Sequence, residues 1–191
     1  AGDVFDKAIV SQKALALYDE LVTRLCSEIK IPVLICAGNH DSSERLSLCN
    51  KMLAELGLYI EGRLTKDIKA ISVGNCDFYL VPYFNLDIAR MLFPDESFEN
   101  YNQAYRFVCD KIRSEMDKSK TNILIGHCFV AGATLSESDR GAKLGGAECV
   151  ACDTFDNFDY VALGHLHAPH NIAEKVRYSG TPYKYSFGET K

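Results

Sequence analysis

The sequence predicts an α/β fold, in which buried strands alternate with amphipathic helices. Short apolar runs end in glycine and lead into helical stretches, as from Val33 to Gly38, which is the rhythm of parallel strands joined by crossover helices. Several of these runs deliver a polar residue directly after the glycine. In open α/β sheets, ligands bind outside the carboxyl ends of the strands. We therefore expect one functional site, assembled from distant parts of the chain.

Composition predicts one globular domain spanning 1–191. The chain has 191 residues, of which 47% are hydrophobic and 25% charged, so it can form one sizeable core but hardly two. It contains no run of about 18 to 20 apolar residues and no secretory signal pattern. We expect a cytoplasmic location and no association with a membrane.

Charge and cysteine content narrow the possible functions. The formal net charge of −5 argues against binding nucleic acid by bulk electrostatics. DNA remains open as a substrate, because bound cations or a basic partner subunit would offset the charge. The eight cysteines lie in apolar segments, which favours reduced core thiols. Cys149 and Cys152 have the spacing of zinc and redox sites but lack a second pair, so core thiols are favoured here too.

In the first half of the chain, Ala1 to Asp3 read as the end of a strand whose body lies upstream, so the chain is expected to begin within a domain. Ser11 can cap a helix over 12–30, and Pro32 opens a strand at 33–37. Ser42 or Ser43 can cap a second helix, which Gly57 would close. Residues 58–85 predict short strands in an antiparallel arrangement.

In the second half, residues 86–118 predict a helical region interrupted at Pro94. A strand then leads into His127. Residues 129–148 form a long polar loop, of the kind that is usually functional or disordered. A strand at 159–163 leads into His165 and His167, and further strands are expected around 170–173 and 176–179.

The polar residues at the strand ends predict a metal site. They are Asp3, Asn39, His40, His127, His165 and His167. Side chains at i and i+2 of an extended segment point the same way, so His165 and His167 share one face. Carboxylate, amide and imidazole ligands together suit Mn²⁺, Fe²⁺ or Zn²⁺. His170 does not follow a glycine-terminated run, and we expect it to lie outside the site.

These ligands indicate phosphoester hydrolysis. The two oxygens of Asp3 can bridge a pair of ions, and two ions about 3.5 to 4 Å apart stabilise the attacking and leaving oxygens of a phosphoryl displacement. His40 adjoins Asn39, and neighbouring side chains on a turn seldom reach the same ion. We therefore expect His40 to stabilise the charge on the phosphorus centre or to protonate the leaving oxygen, with Asp41 or Asp6 orienting its ring.

Four motifs in this order resemble the calcineurin-like metallophosphoesterases: Gly2-Asp3, Gly38-Asn39-His40-Asp41, Gly126-His127 and Gly164-His165-Leu166-His167. The resemblance implies a four-layer αββα sandwich with a two-metal site, of which this chain would lack the first strand and the C-terminal capping region. Within that family, the chain is similar to the bacterial SbcD-type nuclease subunits. The similar segments are Ser136 to Arg140, Asp159 to His167 and Tyr178 to Pro182.

That resemblance implies a nuclease acting in DNA repair, recombination and replication. It implies a 3′ to 5′ exonuclease on double-stranded DNA and an endonuclease on single strands or hairpins. Its cofactor would be two Mn²⁺ ions, with Mg²⁺ or another divalent ion as alternatives. Its partners would be DNA, an SbcC-type ATPase related to SMC proteins and a second copy of the chain, near the nucleoid.

The resemblance also assigns roles to residues. Asp3 would bridge the two ions. Asn39, His127 and His165 would hold one ion, His167 would hold the other, and His40 would act on the leaving group. Arg45, Arg140 and Lys143 are candidate phosphate contacts because of their charge and position.

The chain departs from the family pattern in lacking the opening Asp-x-His motif. We therefore expect weak or partial metal binding by this chain alone. Two alternatives remain open. One is a phosphodiesterase or phosphatase of the same fold acting on small substrates or phosphoproteins. The other is a catalytically incomplete scaffold for an ATPase partner.

Overall fold

The computed structural model describes residues 1–135, 139 and 148–183. In this part of the chain the α-helices are α1 (Gln12–Thr23), α2 (Ser43–Leu46), α3 (Asn50–Ala54), α4 (Leu86–Leu92) and α5 (Tyr101–Glu115). A π-helical turn at Arg24–Ile29 extends α1, and a 3₁₀ turn lies at Cys152–Phe155. The strands are β1 (Val33–Cys36), β2 (Leu58–Glu61), β3 (Ile71–Val73), β4 (Cys76–Val81), β5 (Thr121–His127), β6 (Phe129–Val130), β7 (Cys149–Val150), β8 (Tyr160–Gly164), β9 (His170–Ala173) and β10 (Val176–Tyr178).

A six-stranded mixed sheet forms the centre of the fold, in the order β3-β4-β5-β8-β10-β9. Its four inner strands are parallel, and the edge strands β3 and β9 pair antiparallel with β4 and β10. β1 and β2 form a separate parallel pair, as do β6 and β7. A mixed sheet with covering helices confirms the predicted α/β class.

Two apolar clusters hold these elements together. The larger cluster joins α5 to the central sheet, and α5 buries Tyr101, Tyr105, Val108 and Ile112 along one face at helical spacing. The smaller cluster lies between β1, β2 and the side chain of Leu46. By contrast, α1 has no buried residue.

The helix predicted at 12–30 is confirmed. Ser11 caps it, since its side-chain oxygen accepts a hydrogen bond from the backbone N–H of Ala14 at 3.2 Å. It ends at Lys30, whose left-handed conformation (φ 61°) turns the chain before Pro32. The interrupted helical region after residue 85 is also confirmed, as α4 and α5.

The single helix predicted after Ser42 is wrong. The structure has two short helices there, because Cys49 adopts a left-handed conformation (φ 60°) that breaks the helical hydrogen-bond pattern. Ser42 precedes α2 but makes no side-chain capping bond.

The antiparallel arrangement predicted for 58–85 is only partly correct. β3 and β4 do form an antiparallel hairpin. β2, however, pairs in parallel with β1, since α2 and α3 carry the chain back to the same end of the pair. β6, at the start of the segment predicted as a loop at 129–148, and β7, directly after that segment, are two-residue strands, which are too short for a periodic signal. Residues 136–138 and 140–147 of the predicted loop lie outside the described residues.

All eight cysteines are free. None of the helices in the described part of the chain is both long and apolar enough to cross a membrane.

Candidate metal centre

The site lies at the carboxyl ends of β5 and β8, which are neighbours in the central sheet. His127 is the last residue of β5 and pairs in register with Gly164, the last residue of β8. His165 follows directly, and its ring lies 5.2 Å from that of His127, nearly perpendicular to it. The parallel register of these two strands therefore brings two predicted ligands together.

Asn39 and Asp3 meet the two histidines from the other side. Asn39 Oδ1 lies 2.9 Å from Nε2 of His127 and 3.1 Å from Nδ1 of His165. Asp3 Oδ2 lies 3.2 Å from the same Nε2 of His127. Four of the predicted ligands thus form one cluster, although they come from four separate segments of the chain.

The proton on the His127 ring has a defined position. Its Nδ1 lies 2.9 Å from the backbone carbonyl oxygen of Ala1 and donates a hydrogen bond to it. A neutral imidazole carries one N–H, so Nε2 then presents a lone pair. This lone pair faces the oxygens of Asn39 and Asp3, which are also acceptors. With Asn39 in this orientation, a positive charge between the three acceptors, from an added proton on the ring or from a metal cation, would stabilise the cluster.

The donor chemistry of the cluster fits a divalent metal ion. Burial raises the pKa of Asp3, but the contacts with His127 and the backbone N–H of His40 outweigh it, and the net pKa lies below the usual value. Burial lowers the pKa of His165 to about 4. At neutral pH the cluster therefore offers a carboxylate and a neutral imidazole, the forms in which these groups bind metals. Among the described residues, no three His, Cys, Asp or Glu side chains are already spaced to hold one ion, so the metal site is predicted from the donor types that this cluster brings together.

Glycine is required beside these ligands because the backbone segments pass very close to one another. A Cβ atom at Gly38 would overlap the carboxylate of Asp3. A Cβ at Gly164 would overlap the carbonyl oxygen of Ala1, which accepts the hydrogen bond from His127. The recurring pattern of a glycine followed by a ligand therefore has a steric cause.

His40 lies at the exposed edge of the site. Its Nδ1 donates a hydrogen bond to the backbone carbonyl oxygen of Asp6 at 2.8 Å. Of the two residues predicted to orient this ring, Asp6 contacts it, through its backbone carbonyl oxygen and not its carboxylate, whereas Asp41 accepts hydrogen bonds from backbone N–H groups. A backbone contact of this kind leaves no signal in the sequence.

Asp41 has a different role. Its Oδ2 accepts hydrogen bonds from the backbone N–H groups of Val4 (3.1 Å) and Gly38 (2.9 Å), and its Oδ1 accepts one from Phe5 (2.9 Å). It therefore ties the segment carrying Asp3 to the loop carrying Asn39.

A cleft of about 460 Å³ opens over the cluster. Asp3, His40, His165 and His167 all line it, opposite the segment from Ser179 to Pro182. The structure therefore brings His167 to the cleft that Asp3 and His165 also line. The cleft is where a phosphate ester would reach both the cluster and His40.

The candidate phosphate contacts are not assembled in this way. The guanidinium of Arg45 donates to the carbonyl oxygen of Ala8 at 3.0 Å, and Arg45 lines a separate apolar cavity. Arg140 and Lys143 lie outside the described residues. His170 stacks on Tyr178 with ring centroids 5.2 Å apart, away from the cluster as expected.

Comparison with known proteins identifies the family of the chain. Residues 1–169 match the family described as calcineurin-like phosphoesterase. The chain is 36% identical, over its whole length, to the D subunit of the nuclease SbcCD from Staphylococcus saprophyticus and covers 51% of that protein. It is 36% identical over 99% of its length to the corresponding SbcCD nuclease subunit of Staphylococcus epidermidis, again covering 51%. The chain thus spans about half the length of the curated relatives it matches. It belongs to the calcineurin-like phosphoesterase family, as its motifs predicted.

Proposed function

We propose that this chain is the phosphoesterase part of a metal-dependent DNA nuclease subunit. The observation that carries the proposal is the cluster of facing acceptors formed by Asp3, Asn39 and His127, beside a cleft that His40 also lines. The two relatives support a nucleic acid substrate, since both are named as nucleases.

Each residue has a proposed role. Asp3, Asn39, His127 and His165 hold one divalent ion, and Asp3 with His167 contributes to a second. When bound, such ions activate water and offset charge on the phosphorus centre. The Ala1 carbonyl keeps the Nε2 lone pair of His127 directed at the cluster. His40, whose Nδ1–H is held by the Asp6 carbonyl, would in its imidazolium form give the Nε2 proton to the leaving oxygen.

The proposal extends to cofactor and partners. Mn²⁺ is the proposed ion, since a mixed carboxylate, amide and imidazole set suits it. The names of the two relatives describe each as one subunit of the SbcCD nuclease, which supports an SbcC-type ATPase as partner here. Because the net charge is −5, that partner is proposed to supply the basic surface that follows DNA.

A homodimer is the proposed assembly. Leu48, Met52 and Leu56, which are four positions apart in the chain, each expose between 62% and 72% of their surface. Exposed apolar side chains in such a group are typical of a protein interface.

Mn²⁺-dependent digestion of end-labelled duplex DNA tests the activity. The chain is compared with a version extended at its N-terminus by a strand carrying Asp-x-His, because we expect the shorter chain to bind metal only in part. Asp3→Asn should lose both metal binding and cleavage. His40→Asn should lose cleavage but keep its metal, and loss of metal would instead make His40 a ligand. His170→Gln, outside the cluster, is the control.

Other outcomes identify the alternatives. Turnover of a small chromogenic phosphodiester, with no cleavage of long DNA, would favour a small-substrate phosphodiesterase. Binding of an ATPase partner without any metal-dependent cleavage by the extended chain would indicate a scaffold. Two tightly bound Mn²⁺ ions per chain, measured by calorimetric titration of the shorter chain, would contradict the expected partial site.

A further inference from the structure

Asp139 is a buried carboxylate next to the cleft that the roles above do not include. It is only 3% exposed. It contacts His167, which lies 28 positions later in the chain. Its Oδ1 accepts a hydrogen bond from the backbone N–H of His167 at 3.1 Å, and the same oxygen lies 3.5 Å from Nδ1 of the His167 ring. Burying a carboxylate costs free energy unless donors face it. One oxygen of Asp139 faces both the backbone N–H and the ring nitrogen Nδ1 of His167.

The position of this oxygen bears on which ring nitrogen of His167 carries the proton. A neutral imidazole has one N–H and one lone pair, and an acceptor beside one nitrogen favours the proton there. An oxygen beside Nδ1 therefore places the lone pair on Nε2. Histidines that bind metals commonly have their other ring nitrogen paired with a carboxylate or a carbonyl in this way.

We propose that Asp139 is a positioning residue for His167. It holds the proton on Nδ1, fixes the ring through the backbone of the same residue and makes Nε2 the ligand atom in the cleft. The role of His167 as a ligand rests on the proposed metal-dependent function. The tautomer of its ring can be measured without metal.

A simpler role is that Asp139 only anchors the turn through the backbone N–H. In that case the ring of His167 could take either tautomer. The two roles differ in one observable, which is the tautomer of His167.

The test is nuclear magnetic resonance of the metal-free protein labelled with ¹⁵N in its histidine rings. Long-range ¹H–¹⁵N correlations distinguish the two tautomers, and His167→Gln identifies the signals of His167 by their loss. We expect the Nδ1–H tautomer in the wild-type protein. Asp139→Ala should shift the population toward Nε2–H. Asp139→Asn should retain Nδ1–H, because its amide oxygen still accepts.

Asp87→Asn is the matched control, since that carboxylate is 88% exposed on α4 and should leave the tautomer unchanged. A wild-type protein with His167 in the Nε2–H form would overturn the proposal, and so would an Asp139→Ala protein that keeps Nδ1–H. The wild-type measurement decides the matter even if Asp139→Ala does not fold. Absence of Mn²⁺ binding and cleavage by the chain extended at its N-terminus would refute the proposed function and would leave the tautomer result standing.

Discussion

Removing the carboxylate of Asp41 should separate the two backbone segments that form the site. Three N–H groups, on Val4, Phe5 and Gly38, depend on this one side chain. Alanine at this position would leave all three without their acceptor. Since the segment from Val4 adjoins Asp3, and Gly38 adjoins Asn39, the change should loosen both ligands as well as lower the stability.

The expected loss in the free energy of unfolding follows from the three hydrogen bonds that Asp41 accepts. A hydrogen bond contributes about 1 kcal/mol net, so Asp41→Ala should lower the free energy of unfolding by about 3 kcal/mol. Asp41→Asn should cost less, roughly 1 to 2 kcal/mol, because its single oxygen can still accept from Val4 and Gly38. Its amide group would then face the N–H of Phe5, and that one bond would be lost.

Urea denaturation gives the free energy of unfolding, and amide hydrogen exchange reports the three N–H groups individually. We expect faster exchange at Val4, Phe5 and Gly38 in Asp41→Ala, and mainly at Phe5 in Asp41→Asn. Asp95→Ala, which removes an exposed carboxylate, is the control. Equal stability losses in the two Asp41 variants, or unchanged exchange at these amides, would refute the reasoning.

Three further outcomes are expected. Gly126→Ala should lower the free energy of unfolding by about 1 to 3 kcal/mol, since the added Cβ would lie 2.6 Å from the buried Tyr105 hydroxyl; adding Tyr105→Phe should restore much of the loss in urea denaturation. The hydrogen bonds from Lys120 and Ser72 lower the pKa of Asp77, so its contribution to stability should be complete at neutral pH and disappear as the pH falls through that lowered pKa. Asp77→Asn should therefore be less stable than wild type at neutral pH and equal to it in strong acid, and a constant difference across this range would contradict the assignment. Leu48→Asp should keep the fold but give a monomer in sedimentation equilibrium if the exposed apolar group is the dimer interface.

The sequence by itself determined the α/β class and the cluster of Asp3, Asn39, His127 and His165. This was possible because the signals are local. A buried strand is recognised in the sequence as an apolar run. A glycine follows that run where another backbone segment passes too close to leave room for a Cβ atom. Parallel strands then place their carboxyl ends at one edge, so His127 and His165 meet at the ends of β5 and β8. Asp3 and Asn39 join them from outside that sheet.

Only the tertiary structure decided how the remaining parts are arranged. The parallel pairing of β1 with β2 joins segments that are distant in the chain, and this packing outweighs local strand preference. The left-handed turn at Cys49 has no marker in the local sequence. The carbonyl of Asp6 beside His40 and the carboxylate of Asp139 beside His167 are equally non-local. A backbone oxygen has no residue type to recognise, and a lone aspartate in a polar loop looks like any solvated charge until the fold buries it.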